Sequence, residues 1–389
     1  MECKSCNSKA VVSKIDFGKQ PPSNRYQVTY DADQESHSLE LGICNSCGLL
    51  QLIDPMPIEM VRSRFSWIRY NEPEFHLDDL VEKLVRLPGI DTKSKIAGLT
   101  YKDESTLDRI EKKGFKNIGH APNFEKRSGE DQFDGLETIQ QIITEGNEQS
   151  LDADLLIVRH VLEHAHDMRK FLTRITKQVK TDGYLIFEIP DSSKFLAKNN
   201  YSFMWEEHIV YFTEHTLRYF FENQGHKVIH IYRYEAPLED SLVAVIAIHD
   251  NIVTVDNEVD ITDEIAAVDT FSNNFDATKR VHLDFFKANT EAGKKIAVFG
   301  AGHLAVKYIN LFGLQEYISY VIDDSKDKED LFMPGSSIQI KGSSFLSETD
   351  ICILVLNPES QVKVMGLKKD MIKDGGKFYS AFDNKLISI

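Results

Sequence analysis

The chain has 389 residues, too many for one ordinary domain and enough for two or three, each with its own apolar core. Its composition, 42% hydrophobic and 27% charged, is that of a folded chain, and a formal net charge of -16 argues against nucleic acid and anionic membranes as partners. No apolar run nears the roughly 20 residues of a membrane helix and no basic-then-apolar leader is present, so we expect a cytoplasmic protein.

Four of the five cysteines form two pairs near the N-terminus, Cys3-x2-Cys6 and Cys44-x2-Cys47. Two such turns bring four thiolates to one ion and close a tetrahedral Zn²⁺ shell, with no position left for water or substrate. The pattern predicts a structural zinc site with a hairpin inserted between the pairs, and chance cysteines or a redox pair are the less favoured alternatives. Cys352 lies in an apolar run and is predicted to be a buried small hydrophobe.

After the zinc cysteines, an aromatic-rich stretch predicts a small β-rich module that passes into a connecting segment. From about residue 93, short apolar runs alternate with amphipathic segments, a βαβ pattern that predicts a mostly parallel sheet covered on both faces. The predicted strands are 95–99, 116–119, 153–158, 184–189, 227–234 and 241–247, and the predicted helices are 105–113 and 168–179.

The last third of the chain predicts a connector helix over 255–290 and a second α/β unit with strands 295–299, 320–322 and 351–355. The expected domains are therefore 1–75, 76–254 and 255–389. Gly300-Ala301-Gly302 follows a strand and opens a helix, and Asp323 or Asp324 ends the next strand. Alone, this spacing is typical of NAD binding, and tight strand-to-helix packing is an equally weighted alternative.

The order of these parts resembles the three-domain sugar C-methyltransferases of deoxysugar biosynthesis, and the resemblance covers nearly the whole chain. It rests on the segments 17–24 (FGKQPPSN), 158–164 (VRHVLEH), 207–212 (EHIVYF), 299–302 (FGAG), 321–324 (VIDD) and 333–335 (MPG). The resemblance implies an α/β fold with a zinc-binding β-rich N-terminal module, a Rossmann-like methyltransferase domain and a second Rossmann-like C-terminal domain. It also implies S-adenosylmethionine as methyl donor and a nucleotide-linked keto-sugar as small-molecule substrate, in deoxysugar or surface-polysaccharide biosynthesis.

By this resemblance His208 is the base that removes the proton next to the ketone, Glu207 orients it, and Tyr211 belongs to the same catalytic block. Imidazole suits this task because its pKa lies near the operating pH. For an isolated histidine, capping or packing would be the favoured interpretation, but within the block 205–212 the catalytic one is favoured. The substrate-binding residues implied are Asn24, Trp205, Gly300, Gly302 and His303, with the helix that follows Gly302 placing its N-terminus near phosphate.

The implied cofactor residues are Gly98, Thr100, Asp103, His120, His160 and Glu163. Relatives have a glycine-rich turn after the first strand and an acidic residue after the second, whereas this chain has Leu99-Thr100-Tyr101-Lys102 in the turn and Ala121 at the acidic position. Losing that charged acceptor costs about 1.5 to 3 kcal/mol. Two interpretations stay open: adenosylmethionine is held differently, or the middle domain no longer methylates.

If it does not methylate, three other functions follow. They are enolisation or isomerisation of a sugar nucleotide by the same residues, NAD-linked oxidoreduction in the C-terminal domain, and a non-catalytic role in glycan assembly. The histidines of 160–166 also raise the question of a metal site. They lack the Glu beside the first His that a zinc-protease motif requires, so metal binding by that segment is not expected. The sequence carries no indication of the oligomeric state.

Overall fold

The computed structural model describes residues 1–65, 67–68, 72–119, 135–146, 150–249, 259–372, 375–382, 386 and 388. These residues form three β-sheets with helices around them, which confirms the predicted α/β class. The limits 1–75, 76–254 and 255–389 stay predictions, and the second of these boundaries falls on residues outside the described ranges. His120 and Ala121 also lie outside the described residues.

The strands are β1 (Val11–Gln20), β2 (His37–Cys44), β3 (Leu50–Leu52), β4 (Ile96–Gly98), β5 (Ile118–Gly119), β6 (Ala153–Arg159), β7 (Val179–Asp191), β8 (Val210–Tyr211), β9 (Lys227–Tyr234), β10 (Asp240–Ala247), β11 (Ile296–Phe299), β12 (Tyr320–Ile322), β13 (Ile340–Lys341), β14 (Ile351–Leu354) and β15 (Lys377–Ser380). The α-helices are α1 (Ile58–Val61), α2 (Leu77–Leu84), α3 (Glu104–Lys112), α4 (Leu136–Glu145), α5 (Met168–Thr176), α6 (Ser193–Lys198), α7 (Glu214–Asn223), α8 (Thr262–Glu291), α9 (His303–Phe312) and α10 (Pro358–Lys368). Short 3₁₀ helices span Tyr101–Asp103, Leu162–His164, Tyr201–Phe203, Gln315–Tyr317 and Ser343–Glu348.

The first sheet has the strand order β1-β2-β3-β8, and its neighbouring strands are antiparallel. β1 and β2 form the hairpin that the cysteine spacing predicts between the two Cys pairs. The two-residue strand β8 comes from the middle of the chain and pairs Tyr211 with Leu50 and Val210 with Gln51. The zinc module and the segment that carries His208 therefore share one sheet.

The second sheet has the order β5-β4-β6-β7-β10-β9. Its β5, β4, β6 and β7 strands are parallel, and β10 adds antiparallel to β7 with Val243 opposite Glu188. Strand β6 is buried along nearly its whole length, as expected for a parallel strand covered on both faces. The predicted strand 227–234 matches β9, while β7 extends beyond the predicted 184–189 at both ends.

The third sheet is parallel, in the order β13-β12-β11-β14-β15. The predicted connector is the 30-residue helix α8, which buries Val268, Phe271 and Phe286. Cys352 is fully buried on β14, and burial raises the pKa of its thiol, in agreement with its predicted role as a small hydrophobe.

The zinc module, helix α8 and the third sheet share a hydrophobic core. Tyr201 is at its centre, with ring centroids 4.3 Å from Phe271 and 6.3 Å from Phe17. Through Tyr201, this core connects the segment before His208 to the first and the third sheet. Among the described residues, none of the helices combines the length and the apolar character that crossing a membrane requires.

Candidate functional site

The four N-terminal thiols meet at one point, with Cys3 Sγ 3.6 Å from Cys47 Sγ and Cys6 Sγ 3.7 Å from Cys44 Sγ. All four sulfur atoms lie within 4.8 Å of one another. A tetrahedral zinc ion with Zn–S bonds of about 2.3 Å sets its sulfurs about 3.8 Å apart. The arrangement therefore fits a closed, structural zinc site.

A cavity of about 780 Å³ lies where the three parts of the chain meet. Asn24 comes from the zinc module, His160 and His208 from the middle region, and His303 and Asn357 from the C-terminal region. Seven carboxylates line the cavity, and its described lining includes no Lys or Arg. They are Glu72, Glu74, Glu163, Glu207, Glu235, Glu239 and Glu359. Burial raises the pKa of Glu239 to about 8 and also raises the pKa of Glu163, so these seven side chains do not all carry a charge at pH 7.

Contacts from all three parts of the chain fix the segment 205–209. Glu206 accepts hydrogen bonds from the Ser23 amide and hydroxyl, and Lys307 Nζ lies 2.5 Å from its carboxylate. The Ile209 amide donates to the Glu163 carbonyl at 2.7 Å. These contacts hold the loop from both ends, so the side chains of Glu207 and His208 are positioned by the fold.

His208 faces the cavity, which it lines together with Glu207 and Trp205. Its ring lies edge-on to Trp205 and to His164, each with a centroid distance of 4.8 Å. Burial, only partly offset by the negative charge of Glu72, lowers the pKa of His208 to about 3, so the ring is neutral at pH 7. The ring is therefore unprotonated and free to accept a proton, but this pKa lies below the value near the operating pH that the sequence predicts, because burial disfavours the imidazolium.

The other predicted residues of this block differ in position. Glu207 lines the cavity, and one of its oxygens accepts a hydrogen bond from Asn24 Nδ2 at 3.2 Å. Tyr211 does not line the cavity: its hydroxyl donates to the Trp205 carbonyl at 2.7 Å, and its ring centroid is 6.2 Å from that of His208. Tyr211 therefore contacts the segment 205–209 through this hydrogen bond and does not face the cavity.

The predicted cofactor turn is folded around Asp103. The carboxylate Oδ2 accepts hydrogen bonds from the amides of Leu99 and Thr100, both at 2.7 Å. A Cβ on Gly98 would lie 2.7 Å from Asp103 Cβ, so glycine permits this close approach. Gly98, Thr100 and Asp103 thus shape the turn without lining the cavity, whereas Tyr101 lines it.

Opposite Tyr101, the two other predicted cofactor residues also line the cavity. His160 has a left-handed backbone, with φ of 53°, and its Nε2 lies 3.2 Å from Glu188. Although burial opposes its charge, Glu72, Glu163 and Glu188 raise the pKa of His160 to about 10. The Glu163 carboxylate lies 3.6 Å from His160 Nδ1, and burial raises the pKa of Glu163.

These features fit the positively charged methyl donor that the sequence implies. Glu72 and Glu163 present carboxylates to the cavity beside Tyr101, where they can face a sulfonium or an ammonium group. Against the effect of burial, His160 and Lys102 lower the pKa of Glu72 to about 2, so this carboxylate is charged.

In the C-terminal part, His303 lines the cavity and contacts Trp205 with a ring-centroid distance of 3.5 Å and an interplanar angle of 58°. Gly300 and Gly302 do not line it: Gly300 has φ of 101°, and Gly302 precedes the first residue of α9. Asp323, the acidic residue of the dinucleotide spacing, accepts a hydrogen bond from the Ala301 amide and contacts Lys328. Its carboxylate is thus engaged within the turn.

Sequence reasoning assigned no role to several cavity or supporting residues. His164 lies in the segment whose histidines were noticed, but the spacing within that segment gave no reason to join it to His208. Glu188 sits in an apolar strand, where a single carboxylate is the available signal. The pair Glu206 and Lys307 joins distant segments, so neither residue is distinctive alone.

Comparison with known families places three domain models along the chain. Residues 3–60 match a zinc binding domain, residues 88–231 match a methyltransferase domain, and residues 250–382 match a C-methyltransferase C-terminal domain. The chain is 22% identical to C-methyltransferase NovU of Streptomyces niveus over 401 residues, covering 97% of this chain and 94% of the relative.

Two solved structures show partial similarity to this chain. Magnesium protoporphyrin IX methyltransferase (ChlM) of Synechocystis PCC 6803 has a TM-score of 0.32 and 14% identity, covering 46% of this chain and 90% of its own. The YcgJ protein of Bacillus subtilis has a TM-score of 0.29 and 9% identity, covering 46% of this chain and all of its own.

The three domain models follow one another in the order that the cysteines, the βαβ region and the second α/β unit predict. The relative NovU aligns over nearly the full length of both chains. The chain therefore carries a zinc-binding N-terminal domain, a methyltransferase domain and a C-methyltransferase C-terminal domain, and it is an enzyme. This outcome confirms the resemblance identified from the sequence motifs.

Proposed function

We propose that this enzyme C-methylates a nucleotide-linked keto-sugar and that His208 is its base. The observation that carries the proposal is the neutral His208 ring at the wall of a cavity that all three parts of the chain line. A hydrogen on the carbon next to a ketone is acidic enough for a positioned imidazole to remove. Glu207, held by Asn24, lies beside His208 in the same wall.

S-adenosylmethionine, when bound, supplies the electrophilic methyl group, and Glu72, Glu163, Tyr101 and His160 are the residues placed to hold it. His208 takes the C–H proton. The rings of Trp205 and His303, which contact each other at an interplanar angle of 58°, give the sugar an aromatic contact beside the base. The tight fit of the loop 205–209 against Ser23, Lys307 and Glu163 keeps the base in place, since loosening this geometry slows proton transfer.

The charge of the cavity restricts how such a substrate enters. Because glutamates outnumber cationic side chains in the described lining, we place the sugar ring within the cavity and the diphosphate at its mouth. Helix α9 begins at His303, and its N-terminal amides provide the complementary positive end. A reducing cytoplasm, which keeps the zinc thiols free of disulfides, is the compartment that we propose.

The test separates proton removal from methyl transfer. The enzyme is incubated in D2O with a nucleotide-linked keto-sugar, and loss of the proton next to the ketone is followed by NMR without S-adenosylmethionine. The reaction is repeated with S-adenosylmethionine, and the methylated product is followed by mass spectrometry. We expect His208→Ala to slow both processes by about 100-fold or more, while His230→Ala, an exposed control on β9, stays like the wild type.

Each outcome has a definite meaning. Exchange and methylation that both depend on His208 support the proposal. Exchange without methylation would favour the alternative of enolisation or isomerisation without a methyl donor. Unchanged exchange in His208→Ala would remove this residue from the mechanism.

A further inference from the structure

A second cluster of metal-ligating side chains lies in the wall of the cavity. Glu163, His164 and His208 each offer one ligand atom, and these atoms lie within 4.8 Å of one another. Their exposed fractions are 2%, 4% and 8%. All three residues line the cavity, so a ligand bound among them would have a free side toward it.

Two members of this cluster are buried with polar atoms that lack a partner. Both carboxylate oxygens of Glu163 and Nδ1 of His164 have no hydrogen-bond partner among the described residues. His160 Nδ1 forms an ion pair with Glu163 Oε1 at 3.6 Å, which is longer than a hydrogen bond. Buried polar atoms are nearly always satisfied in folded proteins, so these atoms indicate a missing ligand.

The orientation of the His164 ring suits a metal ligand. The ring makes a hydrogen bond with the backbone of Glu207, and Nδ1 is left without a partner among the described residues. Ligating histidines usually donate their other ring N–H to a carbonyl or carboxylate in this way, which fixes the tautomer and the ring plane. The Ile209 amide, bonded to the Glu163 carbonyl at 2.7 Å, holds the two ligand-bearing segments together.

We propose that Glu163, His164 and His208 form a second metal site, which binds a divalent ion of the zinc class with at least one coordination position open to the cavity. Two imidazoles and one carboxylate are a ligand set that zinc accepts when it keeps such an open position. The proposal differs from the expectation that the segment 160–166 binds no metal, because the fold supplies the third ligand, His208, from the loop 205–209.

Metal binding at this site blocks the base, a consequence that rests on the proposed function. The lone pair by which His208 would accept a proton cannot also coordinate an ion. The ion would also occupy Glu163, one of the carboxylates placed to face a positively charged methyl donor. A zinc-class ion therefore inhibits the enzyme reversibly, and the four-cysteine site, whose shell is closed, has no part in that inhibition.

The test measures metal content and activity separately on the full chain. Protein is first treated with a weak chelator, and the zinc that remains is measured by mass spectrometry; we expect one zinc ion per chain. The same protein is then dialysed against micromolar Zn²⁺ and measured again, and we expect two zinc ions per chain. Glu163→Gln and His164→Ala should each bind one, while His166→Ala, a control two residues along the same segment, should bind two. Circular dichroism of each variant checks that it is folded.

Cobalt identifies the ligands independently of activity. The first Co²⁺ bound should give the near-ultraviolet thiolate band of the four-cysteine site, and the second should add visible bands without more thiolate absorption. Wild-type protein that never exceeds one ion per chain, or a His164→Ala variant that still binds two, would overturn the site. Two bound ions with undiminished deuterium exchange would instead overturn the inhibition and the assignment of His208 as base, while the metal site would stand.

Discussion

Glu188 shows how the fold holds a charge in the middle of an apolar strand. Its carboxylate is fully buried on β7, 2.6 Å from Arg159 Nε, 3.0 Å from His76 Nε2 and 3.2 Å from His160 Nε2. Charged partners on several sides offset the loss of water around a buried carboxylate. Through His160, which lines the cavity, this group also fixes one wall of the site.

We predict that Glu188→Gln lowers the free energy of unfolding by about 3 to 5 kcal/mol at pH 7, because it leaves buried cations without their counter-charge. Burial raises the pKa of Glu188, but Arg159 and His160 outweigh it and hold that pKa well below 4.5. The ionised group therefore stabilises the fold above the pKa of the unfolded chain, and this stabilisation is lost as the pH falls through the lower folded pKa. Thermal unfolding followed by circular dichroism, from neutral to acid pH, measures the difference in stability between wild type and Glu188→Gln.

The matched control is Glu111→Gln, which removes a carboxylate from an exposed position on α3. It should shift the unfolding temperature little at any pH. If the difference in stability between wild type and Glu188→Gln increased as the pH fell, the predicted pH dependence would be wrong.

At this scale the sequence predicts residues whose signal is local. The four zinc cysteines and the segment Glu207-His208 are recognisable from their spacing and neighbours. Glu188, Glu206 and Lys307 are not, since the role of each depends on a partner that only the folded chain brings close. A buried ion pair between distant residues produces no periodic sequence pattern, so such pairs cannot be predicted from the sequence alone.

Gly300 and Gly302 lie in the turn between β11 and α9 but are under different steric constraints. Gly300 has φ of 101°, and a Cβ there would lie 2.6 Å from Leu356 Cδ2 and 3.1 Å from the Val355 carbonyl. Gly302 has φ of -103°, and its Cβ position is open. We predict that Gly300→Ala destabilises the protein by about 1 to 3 kcal/mol through strain and close contact. Gly302→Ala, the matched control, should cost about 1 kcal/mol or less.

Thermal unfolding of the two variants, compared with wild type, measures this difference. Equal destabilisation by both substitutions would contradict the distinction, because it would mean that the turn tolerates a side chain equally at both positions. The dinucleotide-like spacing of this turn would then need an explanation other than tight packing at Gly300.

Helix α9 is linked to the loop before His208 by a buried ion pair. Lys307 Nζ and the Glu206 carboxylate are 2.5 Å apart, and both side chains are almost fully buried. We predict that Lys307→Met destabilises the protein by about 3 to 5 kcal/mol, because Glu206 then stays buried without its cation. Adding Glu206→Gln should recover part of that loss. Urea unfolding followed by tryptophan fluorescence measures the two single variants and the double variant.

Additive effects of the two substitutions in this cycle would contradict direct coupling of Glu206 and Lys307.

Most helices and strands were predictable from the sequence. Strands β9 and β12 match the expected ranges, and α8 is the expected connector helix, although it starts later than predicted. Strand β8 was not predictable, because two residues carry no alternation and its partner β3 lies in the zinc module. Pattern reasoning finds long elements and misses short ones that tertiary pairing creates.

At the scale of the whole molecule, the zinc module is part of the wall of the active site. Asn24, between β1 and β2, holds Glu207, and Ser23 holds Glu206. The Leu52 amide donates to the Ile209 carbonyl at 3.0 Å, directly after His208. A zinc ion held by the four cysteines would thus stabilise a domain whose edge positions the proposed base.

We therefore predict that Cys44→Ser loses the chelator-resistant zinc, becomes sensitive to proteolysis before residue 60, and exchanges the keto-sugar proton about 10-fold more slowly or worse, because the loop 205–209 loses support. Zinc content, limited proteolysis and the NMR exchange assay measure these three changes. The matched control is Cys352→Ser, whose thiol lies away from both sites and should leave zinc content unchanged. Full zinc retention in Cys44→Ser would refute the four-thiolate site. Zinc loss with unchanged exchange would show that the catalytic loop is held by Lys307 and Glu163 without the zinc module.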